Sequence, residues 1–180
     1  MRLAWKRGTH KFPLLLIYQS LIYVIEEKIE ALLQEKFLDS DFSDCFLLEI
    51  KAGANQKVEV FIDADSGITF EKCQKISRFL EEHIDTNGWL GDTYTLEVSS
   101  PGISRPLELW RQYPRNLGRT LEITLQDKSV RNGMLTAVHP DHILLKEEIK
   151  TKEGKKTSIE HVETAIPFAH IAKAIVKISF

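Results

Sequence analysis

Apolar residues at Leu21, Ile22, Ile25, Ile29, Leu32 and Leu33 recur at steps of three and four, which places them on one face of an amphipathic helix over 18–37. The polar cluster 39–44 ends that helix. Residues 46–50 then read as a strand, 53–56 as a turn, and 58–62 as the returning strand, with Val58, Val60 and Ile62 on one face and Glu59 and Phe61 on the other. Gly67 closes a second turn. Thr69 is placed to cap a helix in which Phe70, Cys73, Ile76, Phe79, Leu80 and Ile84 keep helical spacing, and Ile68 is placed to staple onto Cys73. A loop with Gly88 and Gly91 leads into a strand over 94–98. The pattern is α-β-β-α-β, and two one-sided helices with three strands predict a two-layer unit with both helices on one side of a small sheet.

Pro101-Gly102 is a turn signal, and Pro106 with Pro114 limits any helix between them to about two turns. Beyond Gly118 the pattern turns strand-like, over 120–125, 133–138, 142–147, 158–166 and 171–178, with turns at 126–132, 139–141 and 151–156. Five short strands with short turns predict a small SH3-like or Sm-like β-barrel, closed so that few edges stay open. The expected fold class is therefore α+β. Its expected parts are a poorly ordered extension over 1–17, an α/β domain over 18–102, a connection over 103–117 and a barrel domain over 118–180.

Composition narrows the classes of function. The chain is 43% apolar and 28% charged, which excludes a disordered polymer. No stretch approaches the roughly 20 apolar residues that would span a bilayer. Basic residues before the apolar run 14–18 imitate a secretory signal, but Gln19 and Ser20 interrupt the run and no A-x-A-like site follows. Cys45 and Cys73 form no CxxC, and free thiols in a reducing cytosol are the expectation. Net charge is −2, so the molecule as a whole lacks a basic excess. Its halves differ, however: residues 1–100 hold 11 Lys+Arg against 17 Asp+Glu, and residues 101–180 hold 13 against 9. An acidic first half suits a basic surface and a basic second half suits phosphates, a combination that a ribonucleoprotein offers; solvated faces with no partner are the plainer explanation.

The most enzyme-like string is VEVFIDADS, 58–66, an apolar strand ending in Asp63-x-Asp65 as in haloacid-dehalogenase-type phosphatases. Their motif needs Thr or Val where Gly67 stands, and no later acidic pair follows an apolar strand. An EF-hand reading fails because Gly67 comes one position early and no Glu closes the loop. A solvent-facing turn accounts for both aspartates. His139 and His142 have a zinc-compatible spacing but sit in a predicted turn with no third ligand, and Ser99 and Ser100 lack a nucleophile motif, so no catalytic, metal or cofactor site is expected. Arg105, Arg111, Arg115 and Arg119 in or just after the connection, and Lys150, Lys152, Lys155 and Lys156 at one hairpin tip, are candidates for sequence-independent contact with RNA phosphates. Charged hairpin tips also serve solubility. No RNP-like motif, GxxG loop or zinc knuckle supports base-specific readout.

Three strings resemble the bacterial ribosome maturation factor RimP family: VFIDADSGITFEKCQKISRFLEEHID (60–85), YTLEVSSPGISRPL (94–107), the most specific, and more weakly Gly118-Arg119, Gly133 and IPFAHIAKAIV (166–176). The resemblance spans roughly 18–180. The string EEIKTKEGKKTS, 147–158, is longer than the family's usual third hairpin. The resemblance implies the two-domain fold above, a cytoplasmic location, and non-catalytic binding to the immature small (30S) ribosomal subunit. The implied partners are a basic ribosomal protein near the decoding centre and adjacent ribosomal RNA, with no membrane and no small-molecule substrate. It also suggests Ser99, Ser100, Pro101, Gly102, Arg105 and Pro106 as the partner-binding site; the rival physical reading is a Pro-Gly turn that fixes the orientation of two domains, and a mixture of the two is expected, the glycine and prolines shaping the joint and Arg105 with the serines presenting donors. The alternative is a stand-alone RNA-binding chaperone acting through the barrel.

Overall fold

The computed structural model describes residues 11–53, 56–153 and 156–178. Helix α1 runs Lys11–Lys36, strand β1 Cys45–Ala52, strand β2 Lys57–Ala64, helix α2 Phe70–Asn87 and strand β3 Thr95–Ser99. Five more strands follow: β4 Thr120–Leu125, β5 Val130–Val138, β6 His142–Glu153, β7 Lys156–Pro167 and β8 Ile171–Val176. No described helix is long and apolar enough to cross a membrane. The chain forms two compact units. One holds the described residues up to Ser43 with Glu49–Phe61 and Phe70–Ser99; the other holds Asp44–Leu48, Ile62–Thr69 and the residues from Ser100 onward. Residues 44–48 and 62–69, which sequence reading assigned to the N-terminal domain, thus group with the second unit.

In the first unit, helix α1 starts at Lys11 and not at Tyr18, so residues 11–17 are helical and only 1–10, outside the described residues, remain of the expected extension. Pro13 is tolerated there because the first turn has no intrahelical acceptor for its missing N–H. Ile25, Ile29 and Leu33 are buried, as the three-four spacing requires, and Glu26 fixes the helix to a strand end by accepting a 2.9 Å bond from the Ala52 N–H. On α2 the buried stripe is Cys73, Ile76, Leu80 and Ile84. Phe70, placed on that stripe by spacing, is exposed. The three-stranded sheet has the order β1-β2-β3. β2 and β3 are parallel, in register from Lys57↔Thr95 to Phe61↔Ser99, because a whole helix carries the chain back between them.

In the second unit, five antiparallel strands form a sheet of order β7-β6-β5-β4-β8. β7 and β8 are its edges, so the ladder is open and does not make the closed barrel expected. Register shifts between Thr124 and Leu125 and between Leu135 and Ala137 bend the strands locally. Leu121, Ile123, Leu135, Ile143, Leu145, Ile166, Ala174 and Tyr113 make one buried cluster, each large aliphatic side chain contributing about 1.5–3 kcal/mol. Gly133 lies where β5 and β6 approach closely: an added Cβ would sit 2.6 Å from the Lys146 carbonyl oxygen. The β6–β7 hairpin is longer than expected. Its pairing continues from His142↔Pro167 to Glu153↔Lys156, so that residues 151–153 and 156 of the predicted turn lie in strands, and 154–155 are outside the described residues. Lys155 falls outside the described residues, as do the side chains of Lys150, Lys152 and Lys156.

Candidate functional site

The second unit builds its polar centre from the last residues of β2, the turn that follows at 65–66 and the segment 100–119. The alternation that points Val58, Val60 and Ile62 one way should turn Asp63 the other way, yet Asp63 is fully buried. A buried carboxylate must find donors. Here its Oδ1 accepts from the Ala64 N–H at 2.9 Å and from Arg115 Nη1, and its Oδ2 accepts from Arg115 Nη2 at 2.6 Å and from Gln112 Nε2 at 3.1 Å. Arg115 Nη1 also donates to the Ala64 carbonyl at 2.9 Å. The solvent-facing turn expected at both aspartates therefore holds for Asp65 and not for Asp63.

Asp65 is half-exposed and takes Arg111, which donates from Nε at 3.0 Å and from Nη2 at 2.7 Å. That guanidinium lies 4.4 Å from the Phe46 ring centroid, and the Asp65 carboxylate, by hydrogen bonding to it, raises its already high pKa further. Ser66 Oγ bonds the Asp44 carboxylate, and the Asp65 N–H donates to the Asp44 carbonyl at 3.0 Å. With Asp63 and Asp65 both committed to arginines, neither presents the open oxygens that a magnesium-dependent phosphatase needs. No group of three His, Cys, Asp or Glu among the described residues is arranged to hold a metal.

The positions of the arginines follow from two short 3-10 turns, Trp110–Gln112 and Pro114–Asn116, where Pro106 and Pro114 forbid a longer helix. Gln112, nearly fully buried, organises them: its Oε1 accepts from the Glu108 and Leu109 N–H groups at 2.8 and 3.0 Å, and its carbonyl accepts from Asn116 Nδ2 at 2.7 Å. A neutral glutamine inside a connecting segment gave no sign of this role in sequence. The signal that was available is an Asp inside an apolar strand followed, far along the chain, by arginines, but spacing cannot say which arginine it meets.

A cavity of about 360 Å³ opens beside this network, lined by Ser100, Pro101, Gly102, Arg105, Arg115 and Arg119 among others. Six of the candidate contact residues thus share one wall. Pro106 lines a separate cavity of about 680 Å³ with Trp110, Tyr113 and Phe168. Trp110 is half-exposed and donates from Nε1 to the His139 carbonyl at 3.0 Å, and sequence reading overlooked it. Ser99 ends β3, opposite Phe61 in the first unit's sheet. His139 and His142 stack at 4.4 Å, and His142 Nδ1 lies 2.7 Å from Asp141, whose pKa is lowered chiefly by that hydrogen bond. Of the candidate arginines, Arg111 and Arg115 face carboxylates of their own chain, and Arg119 is exposed with no acidic partner among the described residues.

Comparison with known proteins agrees with the family resemblance. Residues 35–104 match the family model of the RimP N-terminal domain. The chain is 34% identical over 168 residues to the ribosome maturation factor RimP of Cytophaga hutchinsonii, covering 87% of this chain and 95% of that protein. It is 31% identical over 159 residues to that of Flavobacterium psychrophilum, with 86% and 98% covered, and 29% identical over 161 residues to that of Christiangramia forsetii, with 87% and 100% covered. With 34% identity over 87% of this chain and 95% of the Cytophaga hutchinsonii protein, the chain belongs to the ribosome maturation factor RimP family.

Proposed function

We propose that this protein acts in ribosome maturation in the cytoplasm by binding the immature small (30S) subunit, holding it through assembly and then releasing it, without catalysing a reaction. The observation that carries the reading is the cavity at Ser100–Arg105. The string most specific to the family lies on its wall, contributing Ser100, Pro101, Gly102 and Arg105 to the lining. The ion-paired state of Asp63 and Asp65 supports a binding role over phosphate chemistry. The acidic balance of residues 1–100 supports contact with a basic ribosomal protein near the decoding centre, and the basic balance of residues 101–180 supports nearby ribosomal RNA. In this reading the bent five-stranded sheet is a variant of the SH3-like or Sm-like barrel, its curvature supplied by the two bulges.

Gradient sedimentation of cell extract at low salt tests the proposal. The protein is expected in the fractions of free small subunits and absent from those of mature ribosomes. Persistent migration at its own size of 20.7 kDa, with no share in the small-subunit fractions, sinks it.

A further inference from the structure

The lining of the 360 Å³ cavity sets the guanidinium groups of Arg115 and Arg119 beside the single carboxylate of Asp63. Arg115 is bound edge-on to that carboxylate, which leaves Arg119 as an exposed cation with no acidic partner among the described residues. Two glycines are among the residues that line the cavity. Gly67 and Gly102, at φ of 91° and 66°, line it, and an added Cβ at either would meet no atom within 4 Å. A serine hydroxyl at Ser100 and the planar guanidinium fork of Arg119 are donors that suit a tetrahedral, multiply charged anion, and the glycines leave room for it to approach. The volume also exceeds what a single carboxylate needs and falls in the range that takes a sugar-phosphate.

We propose that this cavity seats a backbone phosphate of RNA. Arg119 is the recruiting cation, Ser100 and Arg105 stand beside it, and Arg115 serves as a wall fixed by Asp63. The inference deepens the contact role proposed above for this segment and rests on it. It also separates the arginines that sequence reading grouped together, since Arg111 and Arg115 are already held by carboxylates within the chain.

Binding of the full-length protein to a labelled oligouridylate, followed across salt concentration, decides it. Arg119→Gln is expected to weaken binding several-fold and to lower the slope of log affinity against log salt by about one. Arg119→Lys is expected to keep most of the slope. Arg78→Gln, which removes the same charge from an exposed position on α2, is expected to change neither. Equal effects of Arg119→Gln and Arg78→Gln refute the site, as does Arg119-dependent binding of an acidic peptide in place of RNA. Inorganic phosphate added at constant ionic strength separates the sources: displacement of RNA at low concentration would assign the cavity to a free anion and overturn the RNA assignment. Because no ribosome is present, a wild-type protein that binds RNA through Arg119 yet never sediments with small subunits would reject the ribosomal reading alone.

Discussion

Replacing Arg115 with Met keeps most of the aliphatic stem and removes a guanidinium that makes two bonds to Asp63 and one to the Ala64 carbonyl. Asp63 has no solvent exposure, so it cannot recover those bonds from water without opening the structure. Two donors stay with it, Gln112 Nε2 and the Ala64 N–H, and they solvate the charge only in part. Removing one partner of a buried pair costs about 3–5 kcal/mol. Because 28% of the Arg115 side chain is exposed, the lower end of that range, about 3 kcal/mol, is expected. Asp63→Asn should cost a similar amount, since it sets an amide against the guanidinium. The double variant should cost clearly less than the sum, with a coupling of about 2 kcal/mol, because it removes the orphaned charge as well as the bond. Arg111→Met supplies the internal comparison: its partner Asp65 is half-exposed, and the loss should stay within about 1 kcal/mol. Urea unfolding of the four variants, followed by circular dichroism, measures all of this. If Arg115→Met costs no more than Arg111→Met, or if the two single losses at Asp63 and Arg115 add, the claim that Asp63 anchors the site is wrong.

Gly133→Ala should lower stability by about 1–3 kcal/mol, because the new methyl would lie 2.6 Å from the Lys146 carbonyl oxygen and 2.8 Å from Leu145 Cγ; a thermal melt that matches the parent protein would contradict the close approach. Gly102→Ala meets no atom within 4 Å and should cost only about 1 kcal/mol, from its φ of 66°, so the two alanines should rank in that order in the same melt. Burial pushes the Tyr113 hydroxyl up to about 12 from its ordinary value of 10.0. The unfolded chain therefore loses this proton first, so stability falls as pH rises between 10 and 12, and Tyr113→Phe should flatten that part of the stability curve. A tyrosinate absorbance titration in which every tyrosine ionises near 10 would contradict the burial.

Local chemistry made much of the fold readable. The spacing at Ile25, Ile29 and Leu33, and again at Cys73, Ile76, Leu80 and Ile84, is a property of neighbouring residues on one helix, and the same residues are buried. Alternation at Val58, Val60 and Ile62, and the bounds 120–125 of β4, were legible for the same reason. Element ends were less so. Helix α1 extends back to Lys11 because Pro13 in a first turn does not stop a helix, and β6 with β7 extends to Glu153 and Lys156 because cross-strand pairing carries polar residues whose own pattern reads as a turn. Phe70 has the right spacing and lies outside the core, since a first-turn position can face solvent whatever its period.

The string SSPGISR announced the candidate site, and composition alone set the opposite charges of the two halves. Only the tertiary structure decided what the charged residues do. Asp63 meets Gln112 and Arg115 across separations of 49 and 52 residues, and Arg111 meets Asp65 across 46. Periodicity is a local quantity and carries no information about such pairs. The same candidate arginines look alike in sequence, yet the buried carboxylate of Asp63 commits Arg115, while Arg119 is exposed with no acidic partner among the described residues. The strength of an ion pair depends on the solvent removed from around it, and that is settled when distant segments pack together.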